Sequence, residues 1–363
     1  MDDKKDIASV PADDIDKLKS RFVKAQATLQ KNENELADIA RKLRKARVDA
    51  VVPKKVAMDA AAKMGPMDDP FFTKLAEDPG AIEEVIGAAL GIKVTVQKVI
   101  PQYTIPGFGT RGVRLDSFSV IVPAVAATVK LGEGCELGPK GALVDIEIQK
   151  EDRKDTEYRV YFNGASIIVN NTPPGIDDYR QIPRAVVIWI SEKDPFGKGK
   201  MYYQSEKRDM ASGDPMKSPV TEIFINTENM ATTGDSKLDR IARLMKIFKE
   251  PDEYDFTEFP KFSKKKQQLK TTAEGVLDVG KEYQQIIDNE REEARTEGKA
   301  EGRAEGRAEG RAEGKKETAD LMAFLAKNNR TEDILKASTD TGFLNKLLDS
   351  FKAGLLTNAA TTP

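Results

Sequence analysis

Residues 142–149 read ALVDIEIQ, and the alternation of apolar and polar side chains in this stretch decides how the chain is expected to fold. In a β-strand, successive side chains point to opposite faces, so Asp145, Glu147 and Gln149 share one face while aliphatic residues occupy the other. A carboxylate inside an apolar strand is costly unless it is paired or binds a cation. From the pattern alone, a solvent-facing sheet surface is the simpler interpretation, and a cation site is the alternative.

Further apolar runs predict more strands and the helices between them. The strand-like runs are VTVQKVI from residue 94, VRLDSFSVIV from 113 and AVVIWIS from 185, with an additional strand pair in KMYYQSEK from 200 and PVTEIFIN from 219. One helix is predicted over roughly 71–90, and another over EYRVYFNGASIIV from 157. Helix, three strands, helix and strand in this order predict an α/β fold with a mixed sheet flanked by helices.

Composition limits the chemistry that this chain can perform. It has 363 residues, a net charge of −2, one cysteine and no histidine. The absence of histidine excludes Ser-His-Asp and Cys-His nucleophiles and almost every zinc hydrolase site. Hydrolysis would therefore need carboxylates, lysine, tyrosine or a hard cation such as Mg²⁺. No apolar run approaches the roughly 20 residues of a membrane span, so a cytoplasmic protein without a membrane partner is expected.

The N-terminal part of the chain has the pattern of a long amphipathic helix. Apolar residues at spacings of three and four run from about Asp13 to Ala50, with Asn32 as a polar interruption. This heptad pattern is typical of a coiled coil. Two interpretations stay open: a helix that folds back on its own domain, and a coiled coil that makes the protein a homo-oligomer.

A strict four-residue repeat, EGKAEGRAEGRAEGRAEGKK, occupies residues 297–316. On a helix it would place like charges four residues apart, and each glycine costs about 1 kcal/mol relative to alanine. A flexible linker is the favoured prediction. The alternative is a helix that forms only when the protein assembles with a partner. The predicted organisation is an N-terminal amphipathic or coiled-coil-like helix (1–55), an α/β domain (66–235), a helical extension with basic patches (236–296), the linker (297–316) and a small helical segment (317–363).

Several short motifs, taken in order, resemble the core of the PD-(D/E)XK nuclease superfamily, and more closely its recombination-promoting nuclease and transposase family. They are DDPFFTKLAED at 68–78, RLDSFSV at 114–120, VDIEIQ at 144–149, YRVYF at 158–162 and IPRAVVIWIS at 182–191. The repeat and the RTEDILKAS segment that follows it are also similar to that family, so the resemblance covers about residues 68–345. It implies a restriction-endonuclease-like mixed sheet with long N- and C-terminal helical extensions.

The resemblance also implies a Mg²⁺- or Mn²⁺-dependent DNA endonuclease associated with transposition or recombination. Asp116 and Glu147 would be catalytic metal ligands, with the backbone carbonyl of Ile148 as a third oxygen donor. Gln149 occupies the position of the superfamily's usual lysine, where it can orient water but cannot carry a charge. Glu84, or its neighbour Glu83, would add an acidic group from the first helix.

DNA would be the partner, and the candidates for binding it are two basic patches and five individual residues. The basic patches are the helix at Lys237–Lys249 and the segment KFSKKKQQLK at 261–270, and a solvated helix face is the simpler interpretation of both. The individual candidates are Arg159, Tyr161, Lys264, Lys265 and Lys266.

Two departures from the family pattern keep a second function open. Thirty residues separate Asp116 from Glu147, which is longer than a hairpin needs, so the insertion is a flap or Asp116 is the wrong ligand. Gln149 lacks the charge of a lysine. The alternative function is a catalytically impaired nuclease derivative that binds DNA or assembles into oligomers through its terminal helices.

Overall fold

The computed structural model describes residues 51–105, 112–124, 128–132, 135–151 and 154–356, together with 42–48 and single positions between 20 and 39. The described positions between 20 and 48 are helical. Most of the predicted heptad seam lies outside the described residues. At the end that is described, Arg44 pairs with the fully buried Glu282 and Val48 is buried. This end of the helix therefore packs on its own chain.

From residue 51 onward, the described part of the chain contains eight strands and nine α-helices. The strands are β1 (Val94–Ile105), β2 (Val113–Pro123), β3 (Val129–Gly132), β4 (Cys135–Leu137), β5 (Ala142–Gln149), β6 (Ala185–Ser191), β7 (Tyr202–Gln204) and β8 (Val220–Asn226). The helices are α1 (Lys55–Ala61), α2 (Asp69–Leu75), α3 (Pro79–Leu90), α4 (Thr156–Asn171), α5 (Ser236–Lys249), α6 (Pro260–Thr271), α7 (Ala273–Lys327), α8 (Thr331–Thr339) and α9 (Thr341–Lys352).

Six of the strands form one mixed sheet in the order β1-β2-β5-β6-β8-β7. The pairs β1–β2, β2–β5 and β8–β7 are antiparallel, whereas β5–β6 and β6–β8 are parallel. Helix α4 connects the parallel neighbours β5 and β6. The α/β class, the predicted strands and the buried central strand are confirmed, since every residue of β6 is buried. In the long insertion before β5, β3 and β4 pair as a separate hairpin.

The helix predicted over 71–90 is in fact two helices, α2 and α3. The first helix ends at Leu75, and Asp78 caps the second, since its side chain accepts hydrogen bonds from the amides of Gly80 and Ala81. Pro79 has no amide hydrogen, so it interrupts a helix but suits the first position of a new one. The sequence already contained this break signal.

Helices cover both faces of the sheet. Helices α2, α3, α5 and α6 bury one face, where the aliphatic side of β5 packs in the main hydrophobic core. Helix α4 covers the other face, where Val160 packs with Val187 and Trp189. The polar side of β5 therefore lies under α4, and it is this layer that contains the candidate site.

The chain divides into two compact units, Met1–Ile287 and Asp288–Pro363. Helices α5 and α6 belong to the first unit because their apolar residues, among them Ile241, Phe248 and Phe262, are part of its core. In the second unit, Leu321 and Leu325 of α7 pack with Ala337 and Leu347 of the two short helices that follow.

The four-residue repeat at 297–316 lies entirely within α7. The repeat is therefore helical, which was the alternative prediction, and it is not the linker that its glycine content favours. At the repeat glycines, a Cβ atom would meet nothing within 4 Å. Packing inside the described chain therefore does not explain why this segment is helical.

Candidate active site

Strands β2 and β5 bring Asp116 and Glu147 together. Ser117 lies opposite Ile146 in the antiparallel ladder, so Asp116 and Glu147 come next in register. The Asp116 amide donates to Glu147 Oε1 at 3.1 Å, and the Ile148 amide donates to Asp116 Oδ2 at 3.0 Å. The two predicted catalytic carboxylates are therefore neighbours despite the long insertion between them.

Asp145 is a third carboxylate in the same place. It lies two residues before Glu147 on the same strand face and is fully buried. Asn163 of α4 donates to its Oδ2 at 3.0 Å, but its Oδ1 has no hydrogen-bond partner among the described residues. A buried oxygen without a partner is costly, which marks this position as one that a cation or proton would stabilise.

The three carboxyl groups hold their protons more tightly than usual. Burial raises the pKa of Asp116 to about 7 and the pKa of Asp145 to about 8. Burial, followed by repulsion from Asp145, raises the pKa of Glu147 well above its ordinary value. Perturbed carboxyl groups of this kind gather at functional sites because desolvation and like charge both disfavour ionisation.

Arg159, at the start of α4, is the cation of the site. Its Nη2 lies 3.9 Å from Glu147 Oε2, and its Nη1 donates to Gln149 Oε1 at 3.3 Å. The guanidinium lies over the ring of Trp189, with 5.0 Å from Cζ to the ring centroid. The structure thus joins Arg159, a candidate for contact with DNA, to Glu147 and Gln149, and places the chain's single tryptophan beside them.

Asp69 is an acidic neighbour that the sequence analysis did not single out. It lies at the start of α2, within the DDPFF motif, and repulsion from it adds to the raised pKa of Asp116. Its Oδ1 accepts from Gln102 Nε2 at 2.8 Å, and its Oδ2 lies 3.8 Å from Arg114 Nη2. In the sequence, the feature that could have indicated Asp69 as a site residue is its position at a helix start, shortly before two phenylalanines.

Glu84 is not brought to these carboxylates. Its side chain accepts hydrogen bonds from the amides of Lys261 and Phe262, at 3.1 and 2.9 Å, at the start of α6. Glu83 pairs with Lys261 Nζ at 3.0 Å and accepts from the Val96 amide. The first amides of a helix have no intrahelical acceptor, so Glu84 satisfies the start of α6. Glu83 pairs with the Lys261 side chain instead.

A divalent cation fits the donor chemistry of the carboxylate site. Within the described ranges, no group of three or more acidic, cysteine or histidine side chains already has the spacing of a metal site. The donors present are nevertheless carboxylate oxygens, which Mg²⁺ and Mn²⁺ prefer. The partnerless Oδ1 of Asp145 and the mutual repulsion of the three carboxyl groups, two of them buried, both favour an added positive charge.

Lys266 does not belong to a DNA-binding surface, because it is fully buried. Its ammonium donates to the carbonyls of Ile247, Glu250 and Glu253 at 2.6 to 2.9 Å, around the end of α5. Burial lowers its pKa to about 8. Lys264 is exposed and Lys265 is half-buried, so these two stay candidates for contact with DNA.

We expect Lys266→Met to lower the free energy of unfolding by about 3 kcal/mol, because three carbonyls would lose their donor. Lys264→Met is the matched control, and its effect should stay within about 0.5 kcal/mol. Urea unfolding of both variants measures the difference. Equal stability of the two variants would contradict this structural role.

Two cations of the basic helix α5, Arg240 and Lys246, are paired with carboxylates of the same chain. Its cations make the following contacts: Lys237 with the Tyr202 hydroxyl, Arg240 with Glu258, Lys246 with Glu253 and Lys249 with the Thr227 carbonyl. Tyr161 on α4 is 65% exposed and lines a surface cavity of about 600 Å³ beside β7 and β8. The exposed aromatic ring, more than α5, offers a surface for a ligand.

A second cavity, of about 310 Å³, lies at the carboxyl ends of the parallel strands. Four lysines line it: Lys63, Lys150, Lys193 and Lys249. Lys150 points away from the carboxylate site, as its place on the strand predicts, and pairs with Asp68 at 2.6 Å. Lys193 pairs with Glu228 at 3.0 Å. The cavity therefore combines four ammonium groups, two of which are paired with carboxylates.

No family model matches the chain, and comparisons with curated proteins and with solved structures found no match. The interpretation of the site therefore depends on its residues and their geometry. Among the described helices, none is both long enough and apolar enough to cross a membrane.

Proposed function

We propose that this chain is a metal-dependent phosphodiesterase that cleaves DNA, built on a restriction-endonuclease-like sheet. The observation that carries the proposal is the cluster of the buried Asp145 and Glu147 with the half-buried Asp116, beside Arg159. In support of the fold, β1, β2 and β5 form an antiparallel unit, and α4 then leads to the parallel strand β6.

In this proposal Asp116 and Glu147 hold the cation, with Asp145 as a further acidic neighbour and the Ile148 carbonyl as a predicted oxygen ligand. A bound Mg²⁺ or Mn²⁺ would supply Lewis-acid polarisation of the phosphate and a more acidic water. Arg159 can donate to a phosphate oxygen, where negative charge develops during attack on phosphorus. The Gln149 amide, held by Arg159 through its oxygen, keeps its NH₂ group to orient water.

The nature of the substrate follows from the groups around the site. The lysine-lined cavity lies at the carboxyl edge of β5, β6 and β8, and Gln149 is the last residue of β5. The four ammonium groups at this edge favour a polyanionic ligand, and backbone phosphates supply most of the affinity of DNA for proteins. A role in transposition or recombination rests on the family resemblance alone.

One observation favours the alternative, a catalytically impaired derivative that binds DNA or assembles. The lysine nearest in sequence to the cluster, Lys150, pairs with Asp68 on the other side of the sheet. Gln149 cannot replace its charge. Arg159 is the only group that we assign to charge stabilisation, so the proposed activity depends on it.

The test is nicking of supercoiled plasmid by the purified chain with Mg²⁺, with Mn²⁺ and with a chelator. Asp116→Ala and Glu147→Ala should abolish nicking. Glu222→Ala is the matched control, since Glu222 is a half-buried glutamate on β8 of the same sheet. The proposal is supported if the wild type and Glu222→Ala nick the plasmid in a metal-dependent way and the two other variants do not. DNA binding without nicking by any variant, wild type included, would favour the impaired alternative.

A further inference from the structure

The charges of the four-residue repeat are arranged so that the helix itself cannot pair them. Each residue of an α-helix advances by about 100°, so Glu, Gly, Arg and Ala of one repeat point to about 0°, 100°, 200° and 300°. Glutamate and arginine therefore form two stripes on opposite sides of α7, separated by stripes of glycine and alanine. Residues four apart, which do face each other, carry the same charge.

The charged side chains of the repeat are also unpaired in their surroundings. Residues 297–313 are exposed. The ion pairs of the second unit lie elsewhere, at Arg291–Asp288, Arg330–Asp333 and Lys352–Glu317. Within the described part of the chain, no glutamate or arginine between 301 and 311 has an oppositely charged group within 4 Å. Like-charge neighbours and glycines both weaken the isolated helix, so an external partner has to stabilise it.

We propose that this repeat is a pairing surface for the same repeat of a second copy of the chain, with the two helices parallel. A two-fold axis along a parallel pair places the arginine stripe of each helix beside the glutamate stripe of the other, on both sides of the contact. An antiparallel pair would place arginine beside arginine and glutamate beside glutamate. Charge complementarity therefore selects both the partner and its direction.

The glycine stripe determines where the two helices touch. A spacing of four residues turns the stripe by about 40° per repeat, so straight helices follow it for only about three repeats. Ridges of residues four apart pack at a crossing angle near −50°. The contact then centres on Gly302, Gly306 and Gly310, which permit close approach of the axes. The flanking charges are Glu301, Glu305, Glu309, Arg303, Arg307 and Arg311.

The pairing is independent of nuclease activity and is tested by charge exchange in the full chain. One variant carries Arg303→Glu, Arg307→Glu and Arg311→Glu, and the other carries the reverse changes at Glu301, Glu305 and Glu309. Sedimentation velocity should find a dimer for wild type, monomers for each variant alone, and a dimer again for their equimolar mixture. Lysine at the three arginine positions keeps the charge and should keep the dimer.

Several outcomes would overturn the pairing. They are a monomeric wild type, charge variants that stay dimeric, and a mixture that stays monomeric. Direction is tested separately in a Cys135→Ala background, which removes the chain's single thiol. A short bifunctional thiol reagent should cross-link Gly298→Cys to itself in a parallel pair. Preferential cross-linking of Gly298→Cys to Gly314→Cys would show an antiparallel pair and contradict the proposal.

Discussion

Glu147→Gln is expected to lower the metal-dependent cleavage rate by about 10³-fold or more while making the metal-free protein more stable. The cleavage loss follows because a ligand charge is removed where cation binding contributes several kcal/mol. The stability gain follows because burial and Asp145 raise the pKa of Glu147 and thus penalise its charged form. We expect a gain of about 1 kcal/mol, or about 2–4 °C in Tm.

A lower cleavage rate together with a higher stability of the metal-free protein distinguishes a functional carboxylate from a structural one. Single-turnover cleavage of a labelled duplex and calorimetric unfolding in chelator would be measured on the same preparations. Glu222→Gln, on β8, serves as the control and should change neither quantity appreciably. If Glu147→Gln lost stability and activity together, the carboxylate would be a structural group and this account of the cluster would be wrong.

The metal-free protein should lose several kcal/mol of stability as pH rises between about pH 5 and pH 8. The folded-state pKa of Asp116 is raised to about 7 and that of Asp145 to about 8, above the ordinary value of 3.8. In this range the unfolded chain is ionised while the folded chain retains protons. The stabilising contribution is therefore complete below about pH 4 and is lost as pH passes through the folded pKa values.

Calorimetric unfolding in chelator across this pH range measures the effect. In Asp145→Asn, stability should decrease less steeply with pH, because one of the carboxyl groups with a raised pKa is gone. Saturating Mg²⁺ should also flatten the slope in wild type, since a cation stabilises the ionised form. A pH profile that neither Asp145→Asn nor Mg²⁺ changes would show that these carboxyl groups ionise normally.

Much of the sheet was predictable because each strand carries its own pattern. Alternation along 142–149 and the uninterrupted apolar run at 185–191 gave β5 and β6 directly. The break between α2 and α3 was also readable, from Asp78 and Pro79, but helical periodicity on both sides concealed it. The helical repeat was not predictable in this way, because propensity alone argues against a helix at 297–316.

The site was predictable in part. Asp116 and Glu147 stood out as carboxylates in apolar strands, and the register of β2 with β5 brings them together. Asp145 was placed on the polar face with Glu147 but not named as a site residue, and Asp69 was missed, because their burial and neighbours depend on how α4 and α2 pack. Lys266 was wrongly predicted to contact DNA for the same reason. A lysine in a basic run is expected to be exposed, and only the fold shows that carbonyls at the end of α5 surround it.

The most direct measurement of the central claim is calorimetric titration of Mn²⁺ into the full chain near pH 7, beside Asp116→Asn and Glu147→Gln. We expect wild type to bind Mn²⁺ and to release protons, seen as a binding heat that depends on the buffer's ionisation enthalpy, because the pKa values of Asp116 and Asp145 lie near 7 and 8. Both variants should lose this binding. Equal Mn²⁺ binding by wild type and both variants would contradict a cation site at these carboxylates.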